Sequence, residues 1–178
     1  AHLDSWHGGT GGADNASGCI VMMEAMRILH TLGVSPRRTI RLALWGAEEQ
    51  GYHGSRGYAS KYLYDSEKKK ALAGYDQFAL YLNMDFGSGR FRGVYLEESD
   101  QAVPFFETWM KPFKSLGLTT LAPFKVGNTD HVSFSVLGLP AYQFIQDPLE
   151  YGRTYHTTMD TYDRLSLEDL KVNAAIVA

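Results

Sequence analysis

The chain of 178 residues contains a single cysteine and no long hydrophobic run. One cysteine excludes a disulfide within the chain, and Cys19 lies in an apolar helical pattern that indicates a small buried side chain rather than a reactive thiol. No stretch reaches the ~18 consecutive apolar residues of a membrane-spanning helix. These absences argue against a disulfide-stapled scaffold and against a membrane-spanning chain.

The chain also lacks a strong charge of either sign. It has 17 basic and 20 acidic residues, a formal net charge of −3, and its one basic run, Lys68 to Lys70, follows Glu67 in a polar stretch. Such a run is typical of a solvated surface, and the balance offers no basic patch for phosphates or anionic lipids. We expect neither nucleic acid nor a membrane as a partner.

Strand-like and helix-like patterns alternate along the chain. Short apolar segments bounded by breakers predict strands at 39–45, 78–84 and 140–145, with a weaker one at 93–96. Apolar residues at helical spacing predict helices at 17–32, 54–64, 66–73, 102–116 and 130–136, and a last helix that Ser166 caps. This alternation predicts an α/β fold, a three-layer αβα sandwich around a mostly parallel sheet, in one domain over residues 1–178.

Both ends of the sequence predict a partial domain. His2 belongs at the end of a strand but only Ala1 precedes it, and the last helix stops without a cap. We therefore expect residues 1–178 to be a partial catalytic domain of a longer protein. An unpaired sheet edge then predicts self-association and weakened metal affinity.

Potential metal ligands stand at the ends of three strand-like segments. They are His2 with Asp4, the pair Glu48 and Glu49, and Asp85. Open α/β sheets bind ligands at the carboxyl ends of their strands, so residues far apart in sequence converge there. The sequence predicts one shared site at this edge.

Asp14, in a Gly-rich turn, and His156 extend the set to two histidines and three carboxylates around a glutamate that needs no metal. Imidazole and carboxylate suit zinc, and two ions roughly 3.5–4 Å apart need a bridging carboxylate and a nearby base. Small neighbours of Asp14 leave room for a close approach to both ions. The set is typical of a two-metal hydrolase.

Neighbouring residues suggest roles for Asp4, Asp160 and the glutamate pair. Strand alternation puts Asp4 on the same side as His2, so Asp4 is predicted to accept the second ring proton of His2. Asp160 is the candidate partner of His156. Glu48 and Glu49 project in different directions, so one binds metal and the other acts as base, but spacing alone leaves the order open.

The motifs AHLDSW, GGADNASG, WGAEEQG, LNMD and YHTTMDTYD, in this order, resemble the two-zinc exopeptidases that include bacterial leucyl aminopeptidases and glutamate carboxypeptidases. The resemblance runs from residue 2 to about residue 163. It implies the zinc-exopeptidase fold, a secreted or periplasmic location and two zinc ions. It further implies that Asp14 bridges the ions, that His2 and Asp85 complete one ion's set and Glu49 and His156 the other's, and that Glu48 is the general base. Tyr155 matches the tyrosine that helps to hold the oxyanion in the carboxypeptidase branch.

GNTDHVSFSVLGLP resembles the family's loop at the substrate pocket, which makes Asn128, Thr129, Asp130 and His131 candidates for substrate contact. The expected activity is removal of terminal residues from peptides. The motifs do not decide which terminus, and aminopeptidase is the preferred prediction over carboxypeptidase. Two alternatives remain, a one-zinc transferase resembling glutaminyl cyclases and a non-catalytic receptor-like relative, and metal content separates them: two ions, one or none.

Overall fold

A computed structural model describes residues 1–178, the whole of the chain. Its central sheet has four strands in the order β3, β6, β4, β5, which span Tyr81–Asn83, Ala141–Gln146, Phe91–Tyr95 and Thr120–Ala122. Two of the three pairings are parallel, β3 with β6 and β4 with β5, while β4 and β6 are antiparallel. The mostly parallel sheet is confirmed.

Six helices surround the sheet, and none is both long and apolar enough to cross a membrane. A tight irregular turn at Gly12–Ala16 leads into the first helix. Short 3₁₀ turns occupy Asp100–Ala102, Lys111–Leu116 and Tyr162–Arg164. The helices are α1 (Ser17–Thr31), α2 (His53–Tyr62), α3 (Val103–Met110), α4 (Val132–Ser135), α5 (Tyr151–Thr154) and α6 (Leu167–Val177).

Side chains that alternate along β6 divide the core into two layers. Tyr142 and Phe144 join the larger core with residues of α1, α3 and α6, whereas Ala141 joins a smaller core with residues of α2 and α4. Because successive strand side chains point to opposite faces, helices cover both faces of the sheet. The three-layer sandwich is confirmed. Phe144 stacks on Phe91 with ring centroids 3.9 Å apart, and burial of such a side chain stabilises the fold by about 1.5–3 kcal/mol.

The predicted helix at 66–73 is wrong. Strands β1 (Tyr64–Asp65) and β2 (Lys70–Ala71) form an antiparallel hairpin there. The Asp65 carboxylate accepts a hydrogen bond from the Lys68 backbone N–H at 3.0 Å, and Lys69 adopts a left-handed φ of 49°. This local side-chain bond offers the backbone a turn in place of a helix.

Two other predictions need smaller corrections. The helix predicted at 102–116 changes to 3₁₀ geometry at Lys111, because Pro112 has no N–H to donate to the preceding turn. The edge strand β5 was not predicted, since its three residues carry too short a pattern to separate them from a loop.

The predicted strand at 39–45 forms only at its last residue. The Trp45 N–H donates to the Ala1 carbonyl at 3.0 Å, and the Leu3 N–H donates to the Trp45 carbonyl at 2.7 Å. Residues 35–44 make no backbone hydrogen bonds, and Ile40 is 46% exposed. A strand needs a hydrogen-bonded neighbour, and the segment around His2 pairs with this one only at Trp45.

Candidate metal centre

Asp14 lies between two histidines that come from opposite ends of the chain. Its Oδ1 is 3.1 Å from His2 Nε2, and its Oδ2 is 3.1 Å from His156 Nε2. Each carboxylate oxygen therefore faces a different imidazole. A carboxylate shared by two neighbouring ions needs this arrangement.

Two more carboxylates complete a separate group on each side of Asp14. Asp85 Oδ1 lies 3.0 Å from His2 Nε2, and Glu49 Oε2 lies 3.1 Å from His156 Nε2. Glu48 Oε2 stands further away, 4.0 Å from His2 Nε2. The structure brings together all six of these residues.

The backbone brings these side chains to one edge of the sheet. Asp85 follows β3 by two residues, and the glutamate pair follows Trp45, the residue that pairs with His2. Left-handed backbone at Ala47, with φ 55°, turns the chain into the pair, and His156 itself has φ 62°. The convergence at the carboxyl ends of strands is the one expected of an α/β sheet.

Burial and repulsion between neighbouring acids strongly raise the pKa of both glutamates. Burial, with the charge of Asp85 added, raises the pKa of Glu48 to about 9. Burial and the neighbouring Asp14 raise the pKa of Glu49 to about 7. Burial alone would lower the pKa of His2, but the hydrogen-bonded carboxylates of Asp14 and Asp85 raise it to about 12. The site therefore favours added positive charge.

The donor set fits divalent cations. Glu49 Oε1 is buried and has no hydrogen-bond partner in the chain, although buried carboxylate oxygens are normally paired. The ligand atoms of His2, Glu48 and Asp85 lie within 4.8 Å of one another, and so do those of His2, Asp14 and Glu49. Histidine nitrogen and carboxylate oxygen are zinc ligands, and a bound cation would offset the repulsion among the acids.

The predicted contact between the Asp4 side chain and His2 needs correction. His2 Nδ1 lies 2.9 Å from the backbone carbonyl of Asp4 and 3.5 Å from its carboxylate. The carboxylate instead accepts the backbone N–H groups of Glu48 at 3.0 Å and Glu49 at 3.1 Å. A neutral His2 would donate from Nδ1 to the carbonyl, which leaves Nε2 free for a metal.

Asp160 likewise does not contact the imidazole of His156. Its two carboxylate oxygens accept the backbone N–H groups of Ala13 at 2.6 Å and Asp14 at 3.0 Å. The side chain is almost fully buried. The prediction that it partners His156 is corrected: Asp160 holds the turn that carries Asp14.

Five of the six converging residues, all but the buried His2, line a cavity of about 830 Å³. Asn128 lines it, with left-handed backbone at φ 64°, whereas Thr129, Asp130 and His131 are fully buried behind the loop. The Thr129 hydroxyl accepts a hydrogen bond from Asn83, and His131 Nε2 lies 2.9 Å from the Val126 carbonyl. Substrate contact is therefore wrong for these three residues and stays a prediction for Asn128.

Tyr155 lines the cavity as expected, and two aromatic residues that the sequence reasoning missed stand beside it. Tyr151, one helical turn earlier, stacks on Tyr155 with centroids 5.1 Å apart and donates its hydroxyl to the Asp85 carbonyl at 3.2 Å. Trp6 stacks on the His156 ring at 4.7 Å and 11°. The four-residue spacing of the two tyrosines was the only signal in the sequence for Tyr151.

No lysine or arginine lines the cavity. Arg90 donates to Asp169 at 2.8 Å, and Arg92 donates to Asp147 at 2.8 Å, so both guanidinium groups are engaged by acids outside the cavity. Most of the other lining residues are aromatic, apolar or neutral polar. The acids are the charged groups that line the cavity.

The sequence profile of peptidase family M28 matches residues 1–178, the entire chain. The chain belongs to peptidase family M28. Its M28 relatives include Carboxypeptidase Q of Bos taurus, 31% identical over 178 residues, which cover 99% of this chain and 35% of the relative. They also include the "Probable lipoprotein aminopeptidase LpqL" of Mycobacterium tuberculosis, 30% identical over 212 residues, with 100% of this chain and 40% of the relative covered.

A solved M28-like structure is BSAP, a zinc aminopeptidase from Bacillus subtilis, with a TM-score of 0.74 and 28% sequence identity. The match covers 99% of this chain and 43% of that structure. The chain thus spans less than half the length of these three M28 relatives. The mixed α/β fold of the family is confirmed.

Proposed function

We propose that this M28 chain is the catalytic domain of a two-zinc exopeptidase. The observation that carries the proposal is Asp14, whose two oxygens face His2 on one side and His156 on the other. Asp85 completes the donors on the His2 side, and Glu49 completes them on the His156 side. Zinc is also the metal named for the Bacillus subtilis relative.

Glu48 is the general base in this proposal. When bound, two zinc ions would polarise the scissile carbonyl and lower the pKa of a shared water. Of the acids that line the cavity, Glu48 is the furthest from the imidazoles. The positive charge of bound ions would lower its raised pKa, so that its carboxylate can take a proton and pass it to the leaving amine. The Tyr155 hydroxyl, at the cavity wall, donates a hydrogen bond to the oxyanion.

We favour an aminopeptidase over a carboxypeptidase. A pocket for a free carboxylate needs cationic donors, and no lysine or arginine lines this cavity. Its charged lining residues are acids, so the cavity offers no charged partner for a free carboxylate. The aminopeptidase names of two relatives agree with this choice, and the carboxypeptidase name of the third does not.

The neutral wall of the cavity favours uncharged substrate side chains. Phe86, Tyr95, Pro148 and Tyr151 line it, and the rings of Phe86 and Tyr151 are 6.4 Å apart. Gln146 adds a polar group, but its amide already donates to the Gly87 carbonyl at 2.6 Å. A large apolar or aromatic terminal residue would bury the most surface here.

Both alternative functions are disfavoured by the completeness of the site. A one-zinc transferase would have no use for a second group of donors, yet His156 Nε2 lies 3.1 Å from both Asp14 and Glu49. A receptor-like relative would need neither a metal set nor a free carboxylate such as Glu48. The intact donors favour catalysis.

The deciding experiment combines metal content with a matched substrate pair. We expect about two zinc ions per chain, and cleavage of a leucyl or phenylalanyl amide but not of its N-acetylated form. Cleavage restricted to peptides with a free C-terminus would replace the aminopeptidase by a carboxypeptidase. One ion per chain would favour the transferase, and none would favour the receptor-like relative.

Two further parts of the proposal concern context. The lipoprotein name of the Mycobacterium tuberculosis relative supports a secreted or periplasmic location. The unbonded backbone of residues 35–44 supports self-association through this segment, because unpaired backbone N–H and C=O groups can pair with another chain. Peptides are the proposed substrates, and neither nucleic acid nor a membrane is a proposed partner.

A further inference from the structure

Each histidine of the metal centre is followed closely by an aspartate that binds a different part of the chain. Asp4 stands two residues after His2, and Asp160 stands four residues after His156. Neither carboxylate forms a hydrogen bond with the imidazole of its own segment. Each one accepts two consecutive backbone N–H groups that belong to another ligand-bearing segment.

Asp4 joins the His2 segment to the glutamate pair. One of its oxygens accepts the N–H of Glu48 and the other accepts the N–H of Glu49, across 44 and 45 residues of sequence. The left-handed Ala47 precedes these N–H groups, so no regular secondary structure holds them. Asp4 is therefore the group that fixes the backbone from which the base and a ligand project.

Asp160 joins the His156 segment to the turn that carries Asp14. Its oxygens accept the N–H groups of Ala13 and Asp14, and its own backbone carbonyl accepts the Thr10 hydroxyl at 2.5 Å. Asp14 and Asn15 depart from helical φ and ψ, so this turn also lacks regular support. The two aspartates thus make the same kind of contact on two sides of one centre.

We propose that Asp4 and Asp160 are positioning residues that clamp, across segments, the backbones carrying the glutamate pair and Asp14. Hydrogen bonds from backbone N–H to a carboxylate are charge-assisted, and two of them to one side chain fix both distance and orientation. The histidine tautomer does not depend on the Asp4 side chain, because the Asp4 carbonyl is the nearer partner of His2 Nδ1. The metal part of the test rests on the proposed function, whereas the backbone part does not.

The first test needs no variant and no metal. Through-hydrogen-bond N–C′ couplings in the metal-free 178-residue chain should connect the amides of Glu48 and Glu49 to the Asp4 carboxylate. The amides of Ala13 and Asp14 should couple to the carboxylate of Asp160. Coupling of the Asp4 carboxylate to the His2 ring, without coupling to either glutamate amide, would overturn the clamp.

The second test uses two isosteric variants and one control. Asp4→Asn and Asp160→Asn each leave a single acceptor oxygen for two N–H groups, so amide exchange should rise at residues 48 and 49 in the first variant and at 13 and 14 in the second. The ring-nitrogen shifts of His2 should stay unchanged in Asp4→Asn. Asp76→Asn, at an exposed aspartate with no hydrogen bond, should change none of these signals.

Zinc titration separates positioning from a general charge effect. Glu49 belongs to the group of donors around His156, whereas Asp14 contacts both His2 and His156. Asp4→Asn should therefore weaken mainly one ion, by about 10–100-fold, whereas Asp160→Asn should weaken both by a similar factor. Both variants remove one negative charge, so equal losses at both ions in both variants would mean charge alone and would overturn the proposal.

Failure of the proposed function gives a different pattern. If the chain binds no zinc, the zinc titration loses its basis, but the N–C′ couplings and amide exchange still decide whether the clamps exist. If zinc binds and the couplings are absent, the clamp is wrong and the two-zinc proposal stands.

Discussion

The loops at the metal centre and the segment of residues 35–45 were predicted from equally clear sequence patterns, but only the first region is held by the rest of the chain. At the centre, distant segments exchange hydrogen bonds, as Asp4 does with the glutamate pair and Asp160 with the Asp14 turn. Residues 35–44 make no backbone hydrogen bonds, and Leu42 is 36% exposed.

The difference shows what a pattern of residues needs in order to become structure. A polar cluster can be satisfied by side chains from any direction, provided the sheet brings them together. An apolar extended segment needs a neighbouring strand over its whole length, because its N–H and C=O groups point sideways and need partners on that neighbour. The polar cluster at the candidate metal centre meets its requirement. The segment of residues 35–45 meets its own requirement only at Trp45.

The largest effect should come from the glutamate pair. Glu48→Gln keeps the shape and should retain both zinc ions while turnover falls at least ~10²-fold, the low end for loss of a general acid or base. Glu49→Gln should lose zinc first, because a neutral amide is a far poorer zinc ligand than a carboxylate. Zinc stoichiometry and initial rates on both variants check this, and the reverse pattern would exchange the two roles.

The stability of the metal-free chain should depend on pH, because several acids lie close together at the candidate metal centre. Burial raises the pKa of Glu48 to about 9 and that of Glu49 to about 7, both above the 4.5 of a free glutamate. The folded metal-free chain then holds more protons than the unfolded chain between about pH 5 and pH 9, so its stability should fall as pH rises across this window.

Thermal unfolding of the chelator-treated chain at several pH values measures this loss, which we expect to be several degrees in Tm. Glu48→Gln should flatten the curve because it removes a carboxyl whose pKa is raised to about 9. Zinc should reverse the slope, since the ions compete with protons for the same ligands. A metal-free chain that becomes more stable from pH 5 to pH 9 would contradict the prediction.

A smaller effect should follow from loss of the ring stacked on His156. Trp6→Leu removes a parallel contact at 4.7 Å, and aromatic pairs of this kind contribute about 0.5–1.5 kcal/mol. Zinc affinity at the His156 side should fall about 2–10-fold. Phe105→Leu, at a half-exposed ring outside the cavity, serves as the matched control and should leave both affinities unchanged.

The smallest effect on stability should come from the unbonded edge. Ile40→Lys places a charge on an apolar side chain that is already half exposed, so the free energy of unfolding should change by no more than about 0.5 kcal/mol. Self-association should nevertheless decrease, because an edge lysine blocks strand pairing. Sedimentation velocity of Ile40→Lys beside Gln77→Lys, the same charge at another exposed position, measures it, and an equal response in both would exclude this edge.

The sequence alone predicted the fold class and the residues that converge at the candidate metal centre. The strand-end positions of His2, Glu48, Glu49 and Asp85 put them at one edge, because parallel strands present their carboxyl ends together. The residue types, imidazole and carboxylate, predicted the class of ligand. These inferences depend on local pattern and side-chain chemistry, which a sequence contains in full.

Only the tertiary structure decided which partner each polar group finds. The period of a strand put Asp4 beside His2, but the carboxylate bonds instead to N–H groups more than 40 residues away, because those groups have no other partner. The same holds for the burial of His131 behind its loop and for the stack of Trp6 on His156. Such contacts join segments that only the folded sheet brings together, and no spacing along the chain encodes their distance.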